Sequence, residues 1–169
     1  MMKPEVKKEV AEKILKSLQP LRRWGFEVVE RDEGWFQVRR GEKKWDIFVK
    51  EAFSPHDAWI ECPTLWASVV SPNEVNYFAS RLIEDIVLDV ISPNPRPKRV
   101  GAGDVLWTGS KVWRVEFHWG DGGWEMSLWR APYEVEERVR GSLRANPIKA
   151  YAKLVRRALS KWESQQVTS

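Results

Sequence analysis

The chain has a single cysteine, Cys62, in 169 residues, so no intramolecular disulfide can form and no cysteine-rich metal site can be built. Histidine is almost as scarce. His56 and His118 lie far apart and neither belongs to an H-x-x-x-H or H-x-x-E-H pattern, which leaves a metalloprotease-type zinc site without ligands. No apolar run approaches the ~20 residues that a membrane-spanning helix needs. The opening residues, MMKPEVKKEVAEK, are charged where a secretory signal is apolar. These absences point to a cytoplasmic protein in a reducing compartment.

Chemistry-bearing motifs are missing as well. Gly101-Ala102-Gly103 is too short for a phosphate-cradling loop and precedes a strand, not a helix. Glu61, Asp85 and Asp89 are acids without paired spacing, and His56 beside Asp57 reads as a turn before a strand, not a general base. Cys62 closes an apolar stretch and reads as a small core residue. With no catalytic constellation, the chain reads as a non-enzyme, and neither cofactor nor metal is expected.

What is present is globular. Apolar residues make up 43% and charged residues 31%, far from the disordered regime, and the length suits one domain over 1–169. High charge density with one cysteine and few glutamines is also the composition of many thermophile proteins. Tryptophan is abundant, at eleven residues. The clearest local signal is 112–129, VWRVEFHWGDGGWEMSLW. Trp113, Val115, Phe117 and Trp119 alternate with polar residues, Gly120-Asp121-Gly122-Gly123 supplies the turn, and Trp124, Met126 and Leu128 resume the alternation, which predicts a β-hairpin with one buried face.

Around that hairpin the chain divides readily. Val6, Val10, Ile14 and Leu18 recur at helical spacing and predict an amphipathic helix from Pro4 to Leu18. Residues 25–30, 35–40, 45–50 and 58–62 read as strands between turn-rich links. Ser71-Pro72-Asn73-Glu74 is a capping box with proline at the first helical position, opening a broadly apolar helix over 72–91. Residues 92–104, with three prolines and the basic Arg96, Lys98 and Arg99, read as a connector, and 105–107 as a short strand. The carboxylates Glu134, Glu136 and Glu137 predict a helix start running to about Ala145, and Asn146-Pro147 the start of another reaching Trp162. The expected architecture is therefore α+β: a single domain, with one antiparallel sheet of five to six strands and helices on one face, in the order α-β-β-β-α-β-β-α-α.

Two further patterns stand out. Gly41-Glu42-Lys43-Lys44-Trp45 and Gly109-Ser110-Lys111-Val112-Trp113 share the form G-x-K-x-W, each preceded by a helix, as two repeated α-β-β units would produce. From Arg138 to Lys161 there are eight basic residues and no acidic one, within a chain of net charge +4.

The order of elements, together with Trp45-Asp46-Ile47-Phe48-Val49, Ala58-Trp59-Ile60-Glu61 and the terminal segment through Asn146, Tyr151 and Leu154, resembles the type III secretion chaperone-like group of α+β domains, including YbjN-like proteins. The resemblance implies a non-catalytic, often dimeric, protein-binding module. Two functional readings follow. In the first, tryptophans in excess of what one core needs, Trp59, Trp66, Trp107 and Trp129, form a surface for another protein or for self-association as a homodimer. In the second, Arg96, Lys98, Arg99, Lys149, Lys153, Arg156, Arg157 and Lys161 contact nucleic acid.

Overall fold

The computed structural model describes residues 3–62, 68–91, 99–100, 103–108, 111–120, 122–130 and 134–168, with the side chains of 3–5, 99–114, 129–136, 155, 158, 159 and 161–168 outside that description. The chain is α+β and its strands pair antiparallel. There are ten strands among the described residues, in two sheets of five, where sequence patterning suggests five to six in one sheet. Backbone proximity divides the chain into two compact units, 1–86 and 87–169.

In the first unit, helix α1 (Lys3–Leu18) buries Val10, Ala11, Ile14 and Leu18, a stripe at i, i+4 and i+8 spacing that lies against the sheet. Pro20 opens the short helix α2 (Pro20–Arg23), after which Trp24 is fully buried and its carbonyl accepts a hydrogen bond from Arg40 Nη1 at 2.6 Å. The strands β1 (Glu27–Asp32), β2 (Trp35–Arg40), β3 (Lys43–Glu51), β4 (Ala58–Glu61) and β5 (Ser68–Val70) follow in sequence order across the sheet. Alternation decides the core face: Phe36, Val38, Trp45, Ile47, Val49, Ala58 and Ile60 are buried. The opposite face carries Trp35, Gln37, Asp46 and Phe48. There Trp35 Nε1 and Gln37 Nε2 both donate to Asp46 Oδ1, at 3.0 and 2.9 Å.

The capping box forms as the sequence predicts. Ser71 N and Oγ both donate to Glu74 Oε1, at 3.2 and 2.8 Å, starting a 3-10 turn (Pro72–Glu74) that runs into α3 (Val75–Ile91). The division between the units falls inside α3, which is buried on most of its circumference, Glu84 and Asp85 included.

The second unit repeats the meander with β6 (Arg99–Val100), β7 (Gly103–Thr108), β8 (Lys111–Gly120), β9 (Gly123–Arg130) and β10 (Glu134–Gly141), then α4 (Pro147–Thr168). The 112–129 hairpin is β8 and β9: Gly120 pairs with Gly123 across a two-residue link, and Val115, Phe117, Trp124, Met126 and Leu128 are buried. Trp119, placed on the same face by alternation, is only half-buried because it sits at the hairpin's turn end. Of the connector expected over 92–104, residues 92–98 and 101–102 lie outside the described residues, whereas Arg99–Val100 and Gly103–Asp104 are strand.

One element differs in kind. Residues 134–141 form strand β10, not the start of a helix. The strand bulges between Val135 and Glu137, and beyond the bulge pairing against β9 sets Arg140 opposite and Arg138 diagonal to Glu125, at 2.6 and 3.7 Å. Cross-strand pairing outweighs the helical preference of the glutamates, which are weak priors beside tertiary contacts.

Candidate anion-binding groove

The described part of the molecule contains one groove that gathers functional side chains from several elements, and all of it belongs to the second unit. It has a volume of about 660 Å³, within the range of ligand-sized clefts. Its walls are Trp124 on β9, Val139 and Arg140 on β10, and Ala145, Asn146, Lys149, Ala150, Lys153, Arg156 and Arg157 along the start of α4.

Local packing holds each wall in place. Trp124 is buried, its ring tilted against Phe117 with centroids 6.1 Å apart, and its Nε1 donates to the Ala145 carbonyl at 2.9 Å. The indole can settle there because residue 141 is glycine: a Cβ at Gly141 would collide with the six-membered ring of Trp124. Gly123, at φ +145°, meets the Gly141 carbonyl where any side chain would intrude, so β9 and β10 close tightly at this end. Asn146 then starts α4, its Oδ1 accepting from the Ile148 N–H at 3.0 Å, with Pro147 at the first helical position.

Electrostatically the groove is one-sided. Five of its ten lining residues are Arg or Lys, all exposed, and none is acidic. Arg140 hydrogen-bonds Glu125, whose carboxyl it holds below the usual glutamate range, and Arg157 lies 3.9 Å from Glu137. Among the described residues, Lys149, Lys153 and Arg156 take part in no ion pair. Lys149, Lys153 and Arg157 stand at successive i, i+4 positions, where like charges oppose helix formation by about 0.2–0.5 kcal/mol per pair. The row spans about 12 Å of helix axis. The open N-terminus of α4 adds its partial positive charge to the same end.

The structure therefore brings Lys149, Lys153, Arg156 and Arg157 together around one cavity. Arg96 and Lys98 lie outside the described residues; Arg99 is on β6 and Lys161 on α4, with side chains outside the description. Arg140, Trp124 and Val139 are groove residues that sequence patterning does not single out, because Arg140 and Val139 belong to the segment whose glutamates suggest a helix. Only Arg138-Val139-Arg140 alternates there, too short a run to be read as a strand from the sequence.

The tryptophans divide differently. Trp66 lies outside the described residues, and Trp107 and Trp129 are on β7 and β9 with side chains outside the description. Trp59 is half-buried and donates from Nε1 to Glu61 Oε1 at 2.8 Å. Among the described residues no tryptophan side chain is exposed: Trp24, Trp45 and Trp124 are buried and Trp35, Trp59 and Trp119 half-buried.

Elsewhere, His56 and His118 are exposed, and His118 Nε2 lies 3.4 Å from Glu116 Oε2. Cys62 is half-buried just past the end of β4. Among the described residues no three His, Cys, Asp or Glu side chains come together as a metal site, and no helix is long and apolar enough to cross a membrane. No protein-family model, curated protein or solved structure matches the chain.

Proposed function

We propose that the protein is a non-catalytic, cytoplasmic nucleic-acid-binding protein that holds a single strand by its phosphates in the groove between β9, β10 and α4. The observation that carries this reading is the convergence of five cations on a concave, partly apolar cleft lined by no carboxylate. Clustered Lys and Arg side chains neutralise consecutive phosphates, and the apolar walls from Val139, Ala145 and Ala150 suit sugar and base surface. A cleft of about 660 Å³ with apolar walls suits the sugar and unstacked base of a single strand better than the paired bases of a duplex.

Fluorescence anisotropy with labelled single- and double-stranded oligonucleotides of matched sequence tests the proposal. Three to five phosphate contacts give a slope of about −2 to −3.5 for log K against log salt on single strands. Lys153→Ala should weaken all sequences alike and lower that slope by about 0.7. Failure of the unmodified chain to bind either form at low salt overturns the reading.

A second reading, a protein-binding or chaperone-like module, is favoured by a separate observation. Phe53 is fully exposed in the 52–57 link, and Trp35, Phe48 and Trp59 lie half-buried on the face of the first sheet opposite its core. In that reading Phe53→Ser lowers the mass seen by light scattering from dimer to monomer. A monomeric mass for the unmodified chain removes self-association.

A further inference from the structure

We propose that the chain is a tandem duplication of one unit, a helix followed by a five-stranded meander, and that anion binding is confined to its second copy. A shift of 68 residues, the distance from Gly41 to Gly109, converts the pairing of β2 with β3 into that of β7 with β8, together with one pair from the hairpin before it. Asp32↔Trp35, Trp35↔Phe48, Phe36↔Ile47, Gln37↔Asp46 and Val38↔Trp45 become Val100↔Gly103, Gly103↔Glu116, Asp104↔Val115, Val105↔Arg114 and Leu106↔Trp113. The bounds of β2, Trp35–Arg40, fall on those of β7, Gly103–Thr108.

Burial follows the same shift. Val10, Ala11, Ile14 and Leu18 of α1 fall on Phe78, Ala79, Leu82 and Ile86 of α3, and Ile47 and Val49 fall on Val115 and Phe117, all of them buried. In the next hairpin Val49↔Ile60 corresponds to Phe117↔Met126, with two residues fewer between the paired positions. Paired residues share a face whatever the length of the link between them, so Ile60 and Met126 both stay in the core. Two unrelated meanders share a strand order readily, but sharing the register of one hairpin, the bounds of its first strand, the buried stripe of the preceding helix and G-x-K-x-W at one spacing points to a common unit.

Counting along the chain also gives the first-unit residues that match the groove's positions; this half of the inference rests on the nucleic-acid reading above. Trp124↔Gly141 corresponds to Ala58↔Val70, so Ala58 replaces Trp124 and Val69 replaces Arg140. The helix after each sheet starts alike, at Ser71-Pro72 and at Asn146-Pro147. Counting from those prolines, Lys149, Lys153, Arg156 and Arg157 correspond to Glu74, Phe78, Arg81 and Leu82. Five cations are thus matched by one cation, one carboxylate and three apolar residues. At these positions the first copy does not present a row of cations.

Paired substitutions in the full chain test confinement, with a labelled oligothymidylate as probe. Arg156→Glu should weaken binding about tenfold or more at low salt, while Arg81→Glu, at the equivalent exposed position, should change it less than about twofold. Equal losses from the two variants, with circular dichroism unchanged, overturn confinement. If the unmodified chain does not bind at all, the nucleic-acid reading fails and confinement with it. The duplication is judged separately, by nuclear Overhauser contacts across the hairpins. Backbone contacts between Gln37 and Asp46 should recur between Val105 and Arg114, and a slipped register in the second hairpin overturns the common unit.

Discussion

The two sheets share part of an inner face, Ile47 and Val49 matching Val115 and Phe117, and differ on the outer one. In the first, Trp35 stacks on Phe48 with centroids 5.6 Å apart and 20° between planes, Lys50 Nζ sits 5.6 Å from the Phe48 centroid, and Arg31 reaches Gln37 Oε1 at 2.9 Å. In the second, the positions equivalent to Trp35 and Phe48 hold Gly103 and Glu116, and Glu125 stands where Trp59 would be, paired with Arg140 and Arg138. Register is fixed by the buried residues and the turns, so the solvated face is free to exchange an aromatic network for an ionic one. That freedom gives one sheet a stacked aromatic outer face and the other an outer face of paired glutamate and arginine.

The comparison breaks most visibly at the cores. Phe117→Ala in the second unit should cost about 3–5 kcal/mol and Ile47→Ala in the first about 2–5 kcal/mol, since both side chains are fully buried. Denaturant unfolding measures both. A loss below 1 kcal/mol for either would show that its sheet lacks the core described. Next comes the feature found only in the second unit: Gly141→Ala drives a methyl group into Trp124 and should cost about 1–3 kcal/mol. It should also displace the indole, so retention of both stability and oligonucleotide affinity would refute the packing of that wall.

The smallest effect is with pH, and it sharpens the contrast between the outer faces. Burial opposes the Asp46 charge, but hydrogen bonds from Trp35 and Gln37, with Lys44 and Arg31 nearby, lower its pKa below the ordinary value. Glu125 is lowered chiefly by its hydrogen bond from Arg140. A carboxyl whose folded pKa is depressed contributes stability above its unfolded pKa and loses it as pH falls through the carboxylate range, below about 4. Melting temperature should therefore drop between pH 5 and pH 3, and drop less in Asp46→Asn. An unchanged slope in that variant would remove Asp46 from the account.

Much of this fold is legible in the sequence where a pattern and a terminator coincide. The 112–129 hairpin, the stripe of α1 and the Ser71 capping box each combine periodicity with turn or cap chemistry, and each forms. Strand β10 does not show itself, because Glu134, Glu136 and Glu137 satisfy a local rule for helix starts, whereas the partner that overrides it, Glu125, lies on another strand. The short β5 sits close to positions outside the description and offers only three residues of pattern. The groove was half visible. Its basic helix is a run in sequence, but its opposite wall depends on the Gly141–Trp124 contact, which only the β9–β10 pairing creates.

Every strand in both sheets pairs with its neighbours in sequence, so the meanders are built from local loop closures with no strand waiting for a distant partner. Chain ordering can then proceed hairpin by hairpin, and the hairpins closed by two residues, β1–β2, β2–β3 and β8–β9 among them, have the least entropy to lose before their first contacts form. The six-residue link between β3 and β4 gives that hairpin a later start. Sheets with this connectivity belong among the faster folders of their kind, with hairpins forming in about 1–10 μs, ahead of the packing of α1 and α4 onto them.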